Sequence, residues 1–129
     1  MLLNMFAHET YINLGTFKKD LSRINTPVWC ARLEDESSTL YVFTNKFSGK
    51  IKRIKNNSLA KVCACDFKGK ATGEWVEARA TISSEHQVYL KVIEACKKKY
   101  GWQMYLLEFI STVCNRTKDR SIIQINLKN

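Results

Sequence analysis

A chain of 129 residues fits one domain with one substantial core, and 45% hydrophobic with 11% aromatic content excludes a disordered tail. The net charge of +9 points to an anionic partner, whether nucleic acid, a membrane surface or a small phosphorylated ligand. The longest apolar runs fall far short of the ~20 residues that span a bilayer, so no membrane-crossing helix is expected.

Residues 1 to 9 read as an N-terminal arm or a short helix. No basic segment precedes their apolar stretch and His8-Glu9 follows at once, so no signal peptide is expected and the chain is read as cytoplasmic. Thr10 to Phe17 alternates, with Ile12 and Leu14 on one face, and predicts a strand. Lys18 to Asn25 is polar and suits a hairpin connection, although it contains no glycine. Thr26 to Leu33 is a second strand whose Pro27 belongs at a strand start or on an edge, since it cannot donate to a ladder. Glu34 to Ser38 is an acidic turn. Thr39 to Thr44 is a third, buried strand that completes a meander.

The next segment carries the strongest chemical signal. Ser48 is a good N-cap, and Ile51 and Ile54 sit three apart on one face of the helix that follows. Its first two turns hold Lys50, Lys52, Arg53 and Lys55. A helix start has free N–H groups and partial positive charge, so each cation there is unfavourable by some tenths of a kcal/mol. A phosphate seated at the helix start would reverse that sign. Lys50 and Arg53 are three apart and can converge on one anion, while the isoleucines pack inward. A solvated basic face is the alternative. From Lys46 to Lys70 there are eight basic residues against Asp66 alone, so this window supplies +7 of the charge.

Leu59 to Phe67 is a fourth strand with small residues (Ala60, Cys63, Ala64, Cys65) on both faces, and residues 68 to 73 form a turn. Glu74 to Ser83 alternates most cleanly, with Val76, Ala78, Ala80 and Ile82 inward and Glu77, Arg79 and Thr81 outward. Trp75 interrupts that polar face as an interface residue would. Ser84 to Gln87 is a capping-box pattern ahead of a helix with Val88, Tyr89, Val92, Ile93 and Cys96 on its face. Lys97, Lys98 and Lys99 close that helix before Gly101, where the macrodipole and a C-cap account for them. Trp102 to Cys114 reads as a further helix with Trp102, Leu106, Phe109 and Val113 on its face, and Arg120 to Leu127 as a closing strand.

Cys30, Cys63, Cys65, Cys96 and Cys114 form no CxxC pair, so buried free thiols are expected in place of disulfides. With His8 and His86 in unrelated segments, four local ligands for structural zinc are lacking, and no metal is expected. The order β-β-β-α-β-β-α-α-β predicts a mainly β, α+β fold in a single domain over residues 1–129. It is a small antiparallel, Greek-key-like barrel with flanking helices.

Tyr11-Ile-Asn-Leu, Thr26-Pro-Val-Trp29, Leu40-Tyr-Val-Phe-Thr44, Ser48-Gly-Lys-Ile-Lys-Arg-Ile54 and Lys99-Tyr-Gly-Trp-Gln103 stand in order and at matching spacing. Together, over residues 10 to 103, they resemble the pyridoxamine 5′-phosphate oxidase-like superfamily, in its small branch of flavin- and deazaflavin-dependent oxidoreductases. The resemblance implies an FMN-binding split β-barrel that forms a homodimer, with the cofactor in a groove at the dimer interface. It implies that Ser48, Lys50, Lys52 and Arg53 surround the cofactor phosphate, with Lys50 foremost. Thr26, Pro27, Val28 and Trp29, with Thr44 at the end of the third strand, would flank the ring system. FMN is favoured because it is the more widespread cofactor, with the deazaflavin coenzyme F-420 as the alternative, and hydride transfer to a small-molecule substrate is the implied activity. No residue stands out as a catalytic acid or base. Two other readings remain: a flavin-binding protein without turnover, and a basic nucleic-acid-binding barrel with Trp29, Tyr41, Phe43 or Trp75 as stacking residues. In the second, the aromatics lie on strands while the basic cluster lies on the next helix.

Overall fold

In the computed structural model, the described residues are 10–33, 39–83, 85–104, 106 and 120–127. The expected strands form as β1 (Tyr11–Phe17), β2 (Arg23–Val28), β3 (Thr39–Asn45), β4 (Leu59–Cys65), β5 (Val76–Ser83) and β6 (Arg120–Leu127). End shifts are small except in β2, expected over Thr26–Leu33. It starts three residues earlier, because the tight turn at Lys18–Ser22 shortens the connection, and ends at Val28. Two helices are described in full, α1 (Gly49–Asn56) and α2 (His86–Tyr100). The acidic turn at 34 to 38, the first nine residues, Cys114 and most of the expected helix after Trp102 lie outside the described residues.

The strands make one antiparallel sheet in the order β2-β1-β4-β5-β6-β3. Pro27 sits on β2, at the edge of that order, where its missing N–H costs no ladder bond. The sheet curls until its ends meet. Just past β2, Ala31 and Tyr41 of β3 exchange both backbone hydrogen bonds, each 2.8 Å. Ile12, Leu14, Leu40, Val42, Val62, Ala78, Ala80, Ile123 and Ile125 fill the interior, and Ile51 and Ile54 of α1 join the same core. The inward set expected on β5 is therefore the one observed.

The second helix covers the outside of β3 and β6. Val92, Ile93, Cys96 and Tyr100 bury against Ala31, Tyr41 and Ile122. Its N-cap is Glu85, with no side-chain capping bond, while Ser84, on which the expected capping box rests, lies outside the described residues. At the other end Gly101 takes φ +58° and closes the helix with its N–H on the Lys97 carbonyl, 2.9 Å. The lysine run does more than offset the dipole. Lys99 Nζ donates to the Cys30 carbonyl at 2.8 Å and reaches its sulfur at 3.4 Å, tying α2 to the exit of β2. Residues 102 to 104 continue helically, but the expected apolar face is turned: Met104 is buried, whereas Trp102 and Leu106 are 72% and 50% exposed. Among the described residues no helix is long and apolar enough to cross a membrane.

Four cysteines, Cys30, Cys63, Cys65 and Cys96, are buried and stand outside any disulfide. Cys63 and Cys65 share the outer face of β4, and burial pushes the Cys63 thiol up, only partly countered by a hydrogen bond from Asn13.

The glycine-free hairpin solves its turn at a cost. Leu21 takes φ +70°, in the left-handed region, and its N–H bonds to the Lys18 carbonyl. A side chain there costs roughly 1–2 kcal/mol, and Leu21, 70% exposed, recovers little by burial. Leu21→Gly should raise stability by about 0.5 kcal/mol, after the extra unfolded-state entropy of glycine is subtracted. Chemical denaturation should show this as a higher midpoint at unchanged slope. Tyr100 is the opposite case. Its hydroxyl accepts the Cys30 N–H at 3.0 Å and lies 2.8 Å from the Thr10 carbonyl and 3.1 Å from that of Cys30. Burial, then the adjacent Cys30, keeps the phenol protonated well above its usual range. Tyr100→Phe leaves the Cys30 N–H without this partner and should cost about 1–3 kcal/mol in the same denaturation assay.

Candidate phosphate cradle at the start of α1

The end of β3 aims the chain into this site. Asn45 accepts the Phe47 N–H on its side-chain oxygen at 2.8 Å and the Ser48 N–H on its carbonyl at 3.0 Å. That tight turn swings the backbone off the sheet, and Ser48 enters α1 with extended N-cap dihedrals. A serine at this position normally caps the second or third helical N–H. Here its Oγ is buried, caps nothing and has no hydrogen-bond partner. An orphaned buried hydroxyl costs on the order of 1–3 kcal/mol and calls for an explanation.

Arg53 supplies one. Its Nε donates to Thr16 Oγ1 of β1 at 2.6 Å, which pins the side chain against the sheet. The guanidinium folds back along the helix until Nη1 lies 2.7 Å from where a Cβ at residue 49 would stand. Gly49 is therefore the residue that lets Arg53 reach the first turn. Lys50 lies beside it, half-buried, and its ammonium is held below the usual lysine range, first by burial and then by the Arg53 charge. Two cations, an unpartnered hydroxyl and the open N–H groups of the first turn converge, and no acid lies in that turn. This set fits a phosphate monoester: charge-assisted donors from Lys50 and Arg53, backbone N–H groups, and a hydroxyl that can donate to a phosphate oxygen.

The other site residues expected from sequence are placed as follows. Lys52 is exposed on α1. Thr44, half-buried on β3, pairs with Ser121 of β6 one residue before the Asn45 turn. Thr26, Pro27 and Val28 lie on β2 opposite Leu14, Asn13 and Ile12. That places them progressively farther along β1 from Thr16, at ~3.4 Å per residue. Pro27 flanks Gly69, whose carbonyl accepts from Asn13 Nδ2. Trp29 is stacked on Tyr100, ring centroids 4.3 Å apart and 11° from parallel, so within one chain it belongs to the α2 contact. The structure brings Ser48, Lys50 and Arg53 together and leaves the 26–29 segment apart from them. Sequence reasoning missed Thr16 and Gly49. Only the glycine directly after the N-cap serine could have signalled a close approach.

No family model matches the sequence, and no curated protein matches it by sequence. Solved structures do match. A Listeria innocua protein provisionally named a pyridoxamine 5′-phosphate oxidase superposes with a TM-score of 0.65 at 12% identity, over 99% of this chain and 91% of that one. The heme storage protein HutZ of Vibrio cholerae gives 0.69 at 10% identity, over 99% and 89%. An F420 reductase gives 0.62 at 15% identity, over 98% and 93%. At such identities the likeness speaks for the fold. The curled six-stranded antiparallel sheet, closed by the Ala31–Tyr41 bridge and flanked by α1 and α2, is a split β-barrel, the fold these structures share.

Proposed function

We propose that this protein binds FMN, seating the terminal phosphate at the start of α1, and acts as a flavin-dependent oxidoreductase on a small substrate. The observation that carries the reading is the buried, unpartnered Ser48 hydroxyl in a first turn already occupied by Lys50 and Arg53. Ser48 donates to a phosphate oxygen, Lys50 neutralises charge, and Arg53, oriented by Thr16, presents its Nη groups. The flavin, when bound, supplies the redox chemistry, and the protein supplies binding, orientation and a partly dry surrounding. Coenzyme F-420, which also carries a phosphate, is the alternative ligand for the same cradle.

The nucleic-acid alternative is less well served. Trp29 stacks on Tyr100, Tyr41 is buried, Phe43 lies under Arg120 and Trp75 under Arg23, so each proposed stacking ring is already engaged within the chain.

The phosphate reading is tested by flavin titration against pH. Affinity should be greatest once the phosphate is a dianion, above about pH 6. It should then fall as the pH rises through the depressed value of Lys50 in the free protein, levelling off only above the higher value that Lys50 takes beside the bound phosphate. Lys50→Ala should weaken FMN binding about tenfold or more and remove that alkaline fall, since a charge-assisted contact is worth ~1.5–3 kcal/mol. Lys98→Ala, on the exposed flank of α2, should change neither. Equal losses in the two variants would place the phosphate elsewhere.

The same reading places a second copy of the chain over the cofactor. Phe47, beside the cradle, is 76% exposed, and Phe67 is 66% exposed, as expected of surfaces that a partner covers. Sedimentation equilibrium should give a dimer at micromolar concentration, and Phe47→Asp should shift it towards monomer and weaken FMN binding together.

A further inference from the structure

At the opposite end of α1, about 12 Å from the cradle, an open cleft of about 330 Å³ lies between the helix end and the β1–β2 turn. It is lined by Phe17, Lys18, Lys19, Leu21, Asn56 and Asn57, a set with two cations, two amides, two large apolar side chains and no carboxylate. Asp20, in the same turn, accepts the Ser22 N–H at 2.9 Å and the Ser22 hydroxyl at 2.7 Å, and its charge acts on Lys18, so the turn keeps a net positive charge from Lys18 and Lys19 together. The partial negative charge at the end of α1 is offset by Lys55 in its last turn.

Leu21 is the residue the fold does not explain. It holds a backbone conformation that glycine or asparagine would adopt more cheaply, yet its side chain is 70% exposed. Strain kept at a position that contributes little to the core points to a use outside the core. Here that conformation sets the leucine on the wall of the cleft that Phe17 and the two lysines also line.

We propose that this cleft binds a small amphiphilic carboxylate, its apolar tail between Phe17 and Leu21 and its carboxylate at Lys18 and Lys19. Asn56 and Asn57 offer side-chain amide donors to the same carboxylate. The site is separate from the flavin cradle and does not depend on the flavin reading.

The test uses the whole protein, ¹⁵N-labelled, titrated with hexanoate, and with hexanol and acetate as probes lacking one half of the chemistry. Hexanoate should shift the backbone amides of residues 17 to 21, 56 and 57 saturably, and should bind more tightly than either control. Leu21→Gly, which should fold at least as stably as the parent, should weaken hexanoate about fivefold, as expected when roughly half of a leucine's apolar contact is lost. The double variant Lys18→Gln, Lys19→Gln should bind hexanoate and hexanol alike. An absence of saturable shifts, equal binding of hexanol by the parent, or an undiminished affinity in a folded Leu21→Gly protein would each overturn the proposal.

Discussion

The closure of the sheet between Ala31 and Tyr41 is the constraint from which the rest of the molecule follows. Two backbone hydrogen bonds contribute only about 1 kcal/mol each once water is counted, too little to hold two sheet edges together. They hold because the second helix locks them from outside. Tyr100 takes the Cys30 N–H, Lys99 takes the Cys30 carbonyl, and Trp29 stacks on the Tyr100 ring. The chain leaving β2 is thus fastened to α2 immediately before it crosses to β3. Closure buries both faces of β3: Leu40 and Val42 in the barrel, Tyr41 under α2. A strand buried on both faces has no freedom to slip in register. Asn45, and therefore the turn into α1, is fixed in place by the far side of the barrel.

That rigidity lets the cradle hold charges that would otherwise repel one another. Lys50 is already disfavoured by burial and by Arg53, and both lie at the positive end of a helix. A flexible helix start would let them diverge into solvent. Here Ile51 and Ile54 anchor the inner face of α1 in the barrel core, and Arg53 is bonded to a strand through Thr16. Arginine suits that task in a way lysine could not. Its Nε makes the structural bond while the two Nη groups remain for a ligand. The electrostatic cost is carried by the barrel's packing, and on the proposed reading a phosphate would convert it into binding free energy.

Most of the barrel could be read from the chain because period-2 alternation and short β-branched runs report directly on strands with a buried face. The strand β5 alternation and the Ile51–Ile54 pair were legible for this reason. What escaped was whatever depends on a partner distant in sequence. Lys99 looked like a helix-end charge because nothing local shows that Cys30, 69 residues earlier, lies within its reach. Trp102 and Leu106 looked like a buried face because their spacing is helical, yet Met104 takes the buried position. Half of the candidate cradle was legible: a serine N-cap followed by a basic turn suits an anion on chemical grounds, with a solvated basic face as the alternative. Thr16 was invisible, since its role comes only from the side chain that crosses to meet it. The ring-flanking role given to residues 26 to 29 rested on resemblance; within one chain Thr26, Pro27 and Val28 pair with β1, and Trp29 stacks on Tyr100 of α2.

The two ends of α1 show a reciprocal mismatch between residue and backbone. Gly49 occupies a helical position where alanine would be better by up to about 1 kcal/mol in propensity, while Leu21, facing the other end, occupies a turn position where glycine would be cheaper. Neither exception is explained by the core. Gly49 is exposed, and what its missing Cβ makes room for is a guanidinium at the helix start. Leu21 is exposed, and what its side chain adds is an apolar wall to a basic cleft. In a chain whose strands otherwise follow local preference closely, departures of this kind collect where the surface is shaped for something other than folding. One opens the eight-residue helix α1 and the other sits in the β1–β2 turn beside its far end, so the surface along α1, and not the barrel interior, is where this split barrel departs from what its own stability requires.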